Sequence, residues 1–139
     1  MDVLVEVRQL KLPFGEYIVL GSGILGVLGI REINDIDLLV TEKVFNQLRA
    51  SEGWVFDVVQ IEGLSRERLS REGKKFEVYK DFWYGGNEID SKDLISSAEV
   101  IHGVSFLTLE RLKEIKQVLN REKDIKDISL INEYLEKNS

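Results

Sequence analysis

The chain has 139 residues, a formal charge of −6, one histidine and no cysteine; 43% of its residues are hydrophobic and 32% charged. That length fits one domain with a sizeable core, and the composition is neither disordered nor membrane-spanning. The acidic balance excludes a broad basic face for non-specific binding of long nucleic acid, the lone His102 excludes a histidine-rich zinc site, and the missing cysteines exclude disulfide and thiolate chemistry.

The opening MDVLVEVRQL carries an acid at position 2 and no long apolar core, so it does not read as a signal peptide, and a cytoplasmic protein is expected. VLVEVRQL fits either a short helix or an alternating strand. Pro13 and Gly15 mark a turn, and EYIVL then reads as a buried strand ending at Gly21. Ser22 is a good N-cap for a short helix over 22–29, in which Gly23, Gly26 and Gly29 are expected to serve helix packing and a C-cap. NDIDLLV is the next strand. Its alternation puts Asp35, Asp37 and Leu39 on one face and Ile36, Leu38 and Val40 on the other.

Thr41 caps a helix running to about Ala50, with Val44, Phe45 and Leu48 inward. Two strand-like runs follow, WVFDVVQI at 54–61 and KKFEVYKDFW at 74–83. The charged EGLSRERLSREG between them reads as an exposed hairpin arm or loop. A short helix begins near Ser91, and VIHGVSF is a last short strand, with His102 at a strand edge or partly buried. Thr108 caps a helix with Leu109, Leu112, Ile115 and Leu119 on one stripe. Ile125, Ile128, Ile131 and Tyr134 or Leu135 form the stripe of a second helix. The expected architecture is α/β (α+β): a small mixed β-sheet core over about 14–106 with flanking helices, and a C-terminal two-helix hairpin over about 107–137, in one domain spanning 1–139.

Three features of this order carry chemistry. Gly21-Ser22 lies between a strand and a helix start, where backbone N–H groups favour a phosphate. Asp35 and Asp37 leave the next strand on one face. Glu77 is an acid within an alternating strand beside Phe76 and Val78. Carboxylates on neighbouring strands beside such a turn suit Mg²⁺, which shares coordination with substrate phosphates. Asp81 or Asp57 could take the place of Glu77 as the third acid. Charged residues also occur on exposed edge strands simply to block pairing.

Leu20-Gly21-Ser22, twelve intervening residues and Asp35-Ile36-Asp37 resemble the nucleotidyltransferase fold superfamily of DNA polymerase beta, in its minimal nucleotidyltransferase branch. Lys116, followed by Arg121, Lys123, Asp124 and Asp127, resembles the helical tail of aminoglycoside 2''-nucleotidyltransferase-like and abortive-infection toxin-like proteins. The resemblance implies that Asp35, Asp37 and Glu77 hold two Mg²⁺ ions, with Glu77 also a candidate general base. It implies that Gly21, Ser22, Lys116 and Lys123 bind a nucleoside triphosphate, expected to be ATP. Arg31 would order the loop before the acids.

The implied reaction moves a nucleoside monophosphate to an unknown acceptor hydroxyl, on a small molecule, a protein or an RNA end, and releases pyrophosphate. The segment DFWYGGNE, with Trp83 and Tyr84, is a candidate acceptor contact, although aromatic residues there, like Trp54, serve more often as core or rim. The alternative is a catalytically weak or inactive binding partner of the same fold, such as a toxin–antitoxin component or a homodimer. Lys116 on a charged helix also fits a solvated face, and Arg121 with Asp124 or Asp127 fits local ion pairing.

Overall fold

The computed structural model describes residues 1–71, 73 and 75–139. Glu72 and Lys74, expected at the end of the charged segment and the start of the next strand, lie outside the described residues. Among the described residues six helices and nine strands run in the order α1 (Val3–Gln9), β1 (Tyr17–Leu20), α2 (Gly23–Val27), β2 (Ile36–Val40), α3 (Glu42–Arg49), β3 (Trp54–Ile61), β4 (Leu64–Arg71), β5 (Phe76–Tyr79), β6 (Phe82–Tyr84), β7 (Asn87–Ile89), α4 (Ser91–Ser96), β8 (Glu99–Ile101), β9 (Val104–Phe106), α5 (Leu109–Leu119) and α6 (Glu122–Lys137).

Seven strands form a mixed sheet in the order β3-β4-β5-β2-β1-β9-β8, and β6 and β7 form a separate hairpin. The central strands β1 and β2 are almost wholly apolar, and Ile18, Val19, Leu38, Leu39 and Val40 are fully buried. Helices cover them, and threonine caps start α3 and α5 where their apolar stripes begin. Thr41 Oγ1 accepts the Val44 N–H at the start of α3, and Thr108 Oγ1 accepts the Arg111 N–H at the start of α5. The α1 stretch, open between helix and strand in the sequence, is helical, with Asp2 capping it and Val3 and Val7 buried.

The register sets up the site. β1 and β2 are antiparallel with Leu20 opposite Asp37, while β2 and β5 are parallel with Asp37 opposite Glu77. The end of β1, the start of β2 and the middle of β5 therefore meet at one end of the sheet.

Six expectations need correction. The charged segment is a hairpin arm, as one of its two readings has it, but not an exposed one: residues 64–71 are an eight-residue strand inside the sheet, with Arg66 and Leu69 buried. Its turn is only Glu62-Gly63, both at positive φ (53° and 76°), the geometry of a tight two-residue hairpin. The run at 74–83 is two strands, because the chain turns at Lys80 and Asp81 and Phe82 leaves the main sheet. VIHGVSF is a hairpin, β8 and β9, with the exposed His102 and Gly103 at its tip. Asp35 precedes β2 rather than lying in it, and α2 is shorter than 22–29. On α6 the buried positions are Asp124, Asp127 and Ile131, whereas Ile125 is 55% exposed. The second stripe therefore begins with two carboxylates, not with isoleucines.

Candidate active site

A cleft of about 470 Å³ opens where these strand ends face the helical hairpin α5–α6. Gly21, Ser22, Asp35, Asp37, Glu77, Lys116 and Lys123, the seven residues singled out in the sequence, all line it. Of the three candidates for the third acid, Glu77 lines the cleft, while Asp57 and Asp81 do not.

Gly21 ends β1 at φ +56°, a left-handed conformation that a side chain disfavours. A Cβ there would stand 3.2 Å from Asp37 Oδ2, so the bare backbone lets the turn and the carboxylate approach each other. Among the described residues, the Gly21 and Ser22 N–H groups have no backbone acceptor. Ser22 precedes α2 as an N-cap by position, yet its hydroxyl does not cap the helix. It accepts a hydrogen bond from Arg31 at 3.0 Å instead.

Gly23 and Gly26 do serve packing. A Cβ at Gly23 would lie 2.3 Å from Val19 Cγ1, and one at Gly26 would lie 3.0 Å from Ile33 Cγ1. Both positions hold a bare backbone against buried side chains.

Asp37 carries the strongest electrostatic perturbation. Burial first, then hydrogen bonding and charge from Glu77 and the charge of Asp35, push its carboxyl up to about 7, against the downward pull of Lys123. Its Oδ1 is buried with no partner among the described residues. A buried, unpaired carboxylate oxygen beside two more acids calls for a cation or a proton.

The test of fit to Mg²⁺ is the donor set. Hard carboxylate oxygens from Asp35, Asp37 and Glu77 on one cleft are what Mg²⁺ takes, and the unpaired Asp37 Oδ1 is free to serve. Among the described residues no three acidic or histidine side chains converge into a preformed cation cage. Glu77 is drawn aside: Arg68 Nη1 donates to its Oε1 at 2.8 Å while also gripping Asp57 through Nε and Nη2 at 3.0 and 2.6 Å. The acids fit the ion by chemistry, with Glu77 shared between the cleft and Arg68.

The helical tail is more deeply engaged than a solvated face. Lys116 is 6% exposed and lies 2.8 Å from Asp127 and 3.3 Å from Asp124. Arg121 pairs with Asp124, as local pairing predicts, whereas Asp127 pairs across the molecule with Arg31 at 2.7 Å. Lys123 is exposed, reaches the cleft and forms no ion pair among the described residues.

The sequence reading missed Arg66 and Arg68. Arg66 is 5% exposed, stacks 3.8 Å over the Trp83 ring and donates to the Trp83 carbonyl at 2.7 Å. It thereby pins the β6–β7 hairpin to the sheet, and Trp83 acts there as a packing surface. Phe82 reaches the cleft lining. The signal for both arginines was the two-residue Glu62-Gly63 turn, which makes 64–71 the antiparallel partner of 54–61 and sets Arg68 opposite Asp57.

No protein-family model matches the sequence, and no curated protein matches it. Among solved structures, the chain is similar to a crystal structure of the aminoglycoside 2''-nucleotidyltransferase ANT(2'')-Ia in complex with adenylyl-2''-tobramycin, at 17% identity and a TM-score of 0.54, over 96% of this chain and 86% of that one. That likeness speaks for the fold: this chain has a small nucleotidyltransferase-like α/β fold. Among the described residues no helix is long and apolar enough to cross a membrane.

Proposed function

We propose that the protein is a Mg²⁺-dependent nucleotidyltransferase that moves a nucleoside monophosphate, with ATP as the expected donor, to an acceptor hydroxyl. The observation that carries this reading is that the unpaired, buried Asp37 Oδ1 lines one cleft together with Asp35, Glu77 and the Gly21-Ser22 turn. The fold similarity adds independent support.

In this reading Asp35 and Asp37, with Glu77, hold the metal, which when bound supplies charge neutralisation at the phosphoryl oxygens. Gly21 and Ser22 present their N–H groups, and Ser22 its hydroxyl, to the terminal phosphates. Lys123, an exposed cation of the cleft with no ion pair among the described residues, pairs with phosphate charge, and Lys116 adds its field from behind. Glu77 takes the proton from the acceptor oxygen as that oxygen attacks the α-phosphorus and the bond to pyrophosphate breaks. Arg68 must cede part of its hold on Glu77 for that step.

Titration calorimetry with ATP and Mg²⁺ tests the reading. Wild type should bind only when Mg²⁺ is present, and Asp35→Ala or Asp37→Ala should lose both binding and transfer while remaining folded. Transfer of label from ATP to an acceptor pool should fall by about 10²–10⁴-fold in Glu77→Gln. Absence of any Mg²⁺-dependent nucleoside triphosphate binding by wild type overturns it. The grip of Arg68 on Glu77 favours a second reading, a non-catalytic binding partner such as a toxin–antitoxin component. That reading predicts a stable complex with a protein partner and no transfer.

A further inference from the structure

Arg31 lies in the loop between α2 and β2, 96 residues before Asp127 on α6. Its guanidinium is committed on every side. Nε and Nη2 form a fork on Asp127, at 2.7 and 2.8 Å; Nη2 also donates to Ser22 Oγ at 3.0 Å, and Nη1 to the Glu32 carbonyl at 2.9 Å. Behind it, Asp127 takes Lys116 of α5, and Lys116 reaches on to Asp124, which holds Arg121. The loop before β2 and the consecutive helices α5 and α6 thus share one ion network, with Lys116, Asp124 and Asp127 buried at its centre and the Ser22 hydroxyl at its outer end.

We propose that Arg31 is a positioning residue that latches the α5–α6 hairpin to the Gly21-Ser22 turn, so that docking of the hairpin and binding of an anionic, phosphate-bearing ligand at the turn are energetically coupled. The inference rests on the nucleotide reading for the identity of the ligand, and on this geometry for the latch.

Two arguments carry it. Asp127 is 4% exposed, so a guanidinium that swung away would leave a buried carboxylate short of its fork. A planar bidentate pair holds direction as well as charge, which fixes where Nη2 points. A hydroxyl has one proton to give and lone pairs to accept with. Arg31 occupies one of the two Ser22 lone pairs, which turns the O–H away from the guanidinium, and the cleft beside it is where an anionic oxygen would receive that proton's hydrogen bond. Arg31 itself lines the cleft, and in this network it acts on a phosphate through the Ser22 hydroxyl that it orients. By linkage, a ligand that draws on Ser22 must also strengthen the seating of α6, and loosening α6 must weaken the ligand.

The test is a double-mutant cycle between two residues that do not touch each other, Ser22→Ala and Asp127→Asn, read in two ways. The first readout is the dissociation constant for α,β-methylene-ATP with Mg²⁺. Asp127→Asn should weaken binding about tenfold in the wild-type background and less than about twofold in the Ser22→Ala background. The second is urea unfolding without ligand, where the two substitutions should likewise be non-additive.

Additive effects on binding overturn the coupling, whatever the stability cycle gives. If wild type binds no nucleotide, the proposed function is overturned, and the urea cycle alone decides the latch: non-additive supports it and additive sinks it. Should Asp127→Asn fail to fold, Arg31→Lys replaces it in both cycles, since lysine keeps the charge and loses the fork.

Discussion

Gly21 joins a conformational and a chemical demand at one atom. Its φ of +56° disfavours any side chain, and the space a methyl would need is occupied at 3.2 Å by Asp37 Oδ2. Gly29 is the natural control. It sits at φ +72°, just past the C-cap of α2, and a Cβ added there would meet nothing within 4 Å. Alanine at either position should cost about 1–2 kcal/mol for the left-handed backbone. Only Gly21→Ala should also weaken Mg²⁺-dependent ATP binding, because it alone pushes on Asp37. Urea midpoints and calorimetry on the pair check this; equal binding in the two variants would show that the Gly21 contact is irrelevant to the ligand.

At the scale of elements, what the sequence disclosed follows from which interactions are local. The strand ending in Gly21, the strand carrying Asp37 and the caps Thr41 and Thr108 rest on side-chain alternation and on hydrogen bonds three residues long, so they were readable. Strand β4 was not, because Arg66 and Arg68 are stabilised by partners on other elements: the Trp83 ring, Asp57 and Glu77. The same holds for α6, where buried carboxylates occupy positions that an apolar stripe would assign to isoleucine. Lys116 and Arg31, which make that possible, lie on other segments. This inversion predicts a contrast. Ile131 is fully buried, so Ile131→Ala should cost about 2–5 kcal/mol. Ile125 is 55% exposed, and Ile125→Ala should stay within about 0.5 kcal/mol. Urea unfolding of the two variants decides between the observed face of α6 and the one that simple periodicity suggests.

For the whole molecule, the ion network makes the seating of the hairpin depend on acid. Burial alone would raise the Asp124 and Asp127 carboxyls. Hydrogen bonds and charge from Arg121 and Lys116 at Asp124, and from Arg31 and Lys116 at Asp127, outweigh it and hold both below the ordinary aspartate value of 3.8. The unfolded chain therefore binds more protons than the folded one in this range. The stabilisation is present above pH 3.8 and is lost as pH falls through the depressed folded values, at up to about 1.4 kcal/mol per pH unit for each group. At pH 7, Asp127→Asn leaves Arg31 and Lys116 with an uncharged partner and should destabilise by about 3–5 kcal/mol, the usual cost of breaking a buried pair. Below pH 3.8 wild type progressively protonates the same carboxyl, so the gap between the two proteins should narrow from pH 4 toward pH 2. Urea midpoints taken across that range measure the gap directly. A gap that stays constant would mean that Asp127 stabilises the hairpin by shape rather than by charge, and the chain of ions from Arg121 to Ser22 would then carry no electrostatic information between the hairpin and the cleft.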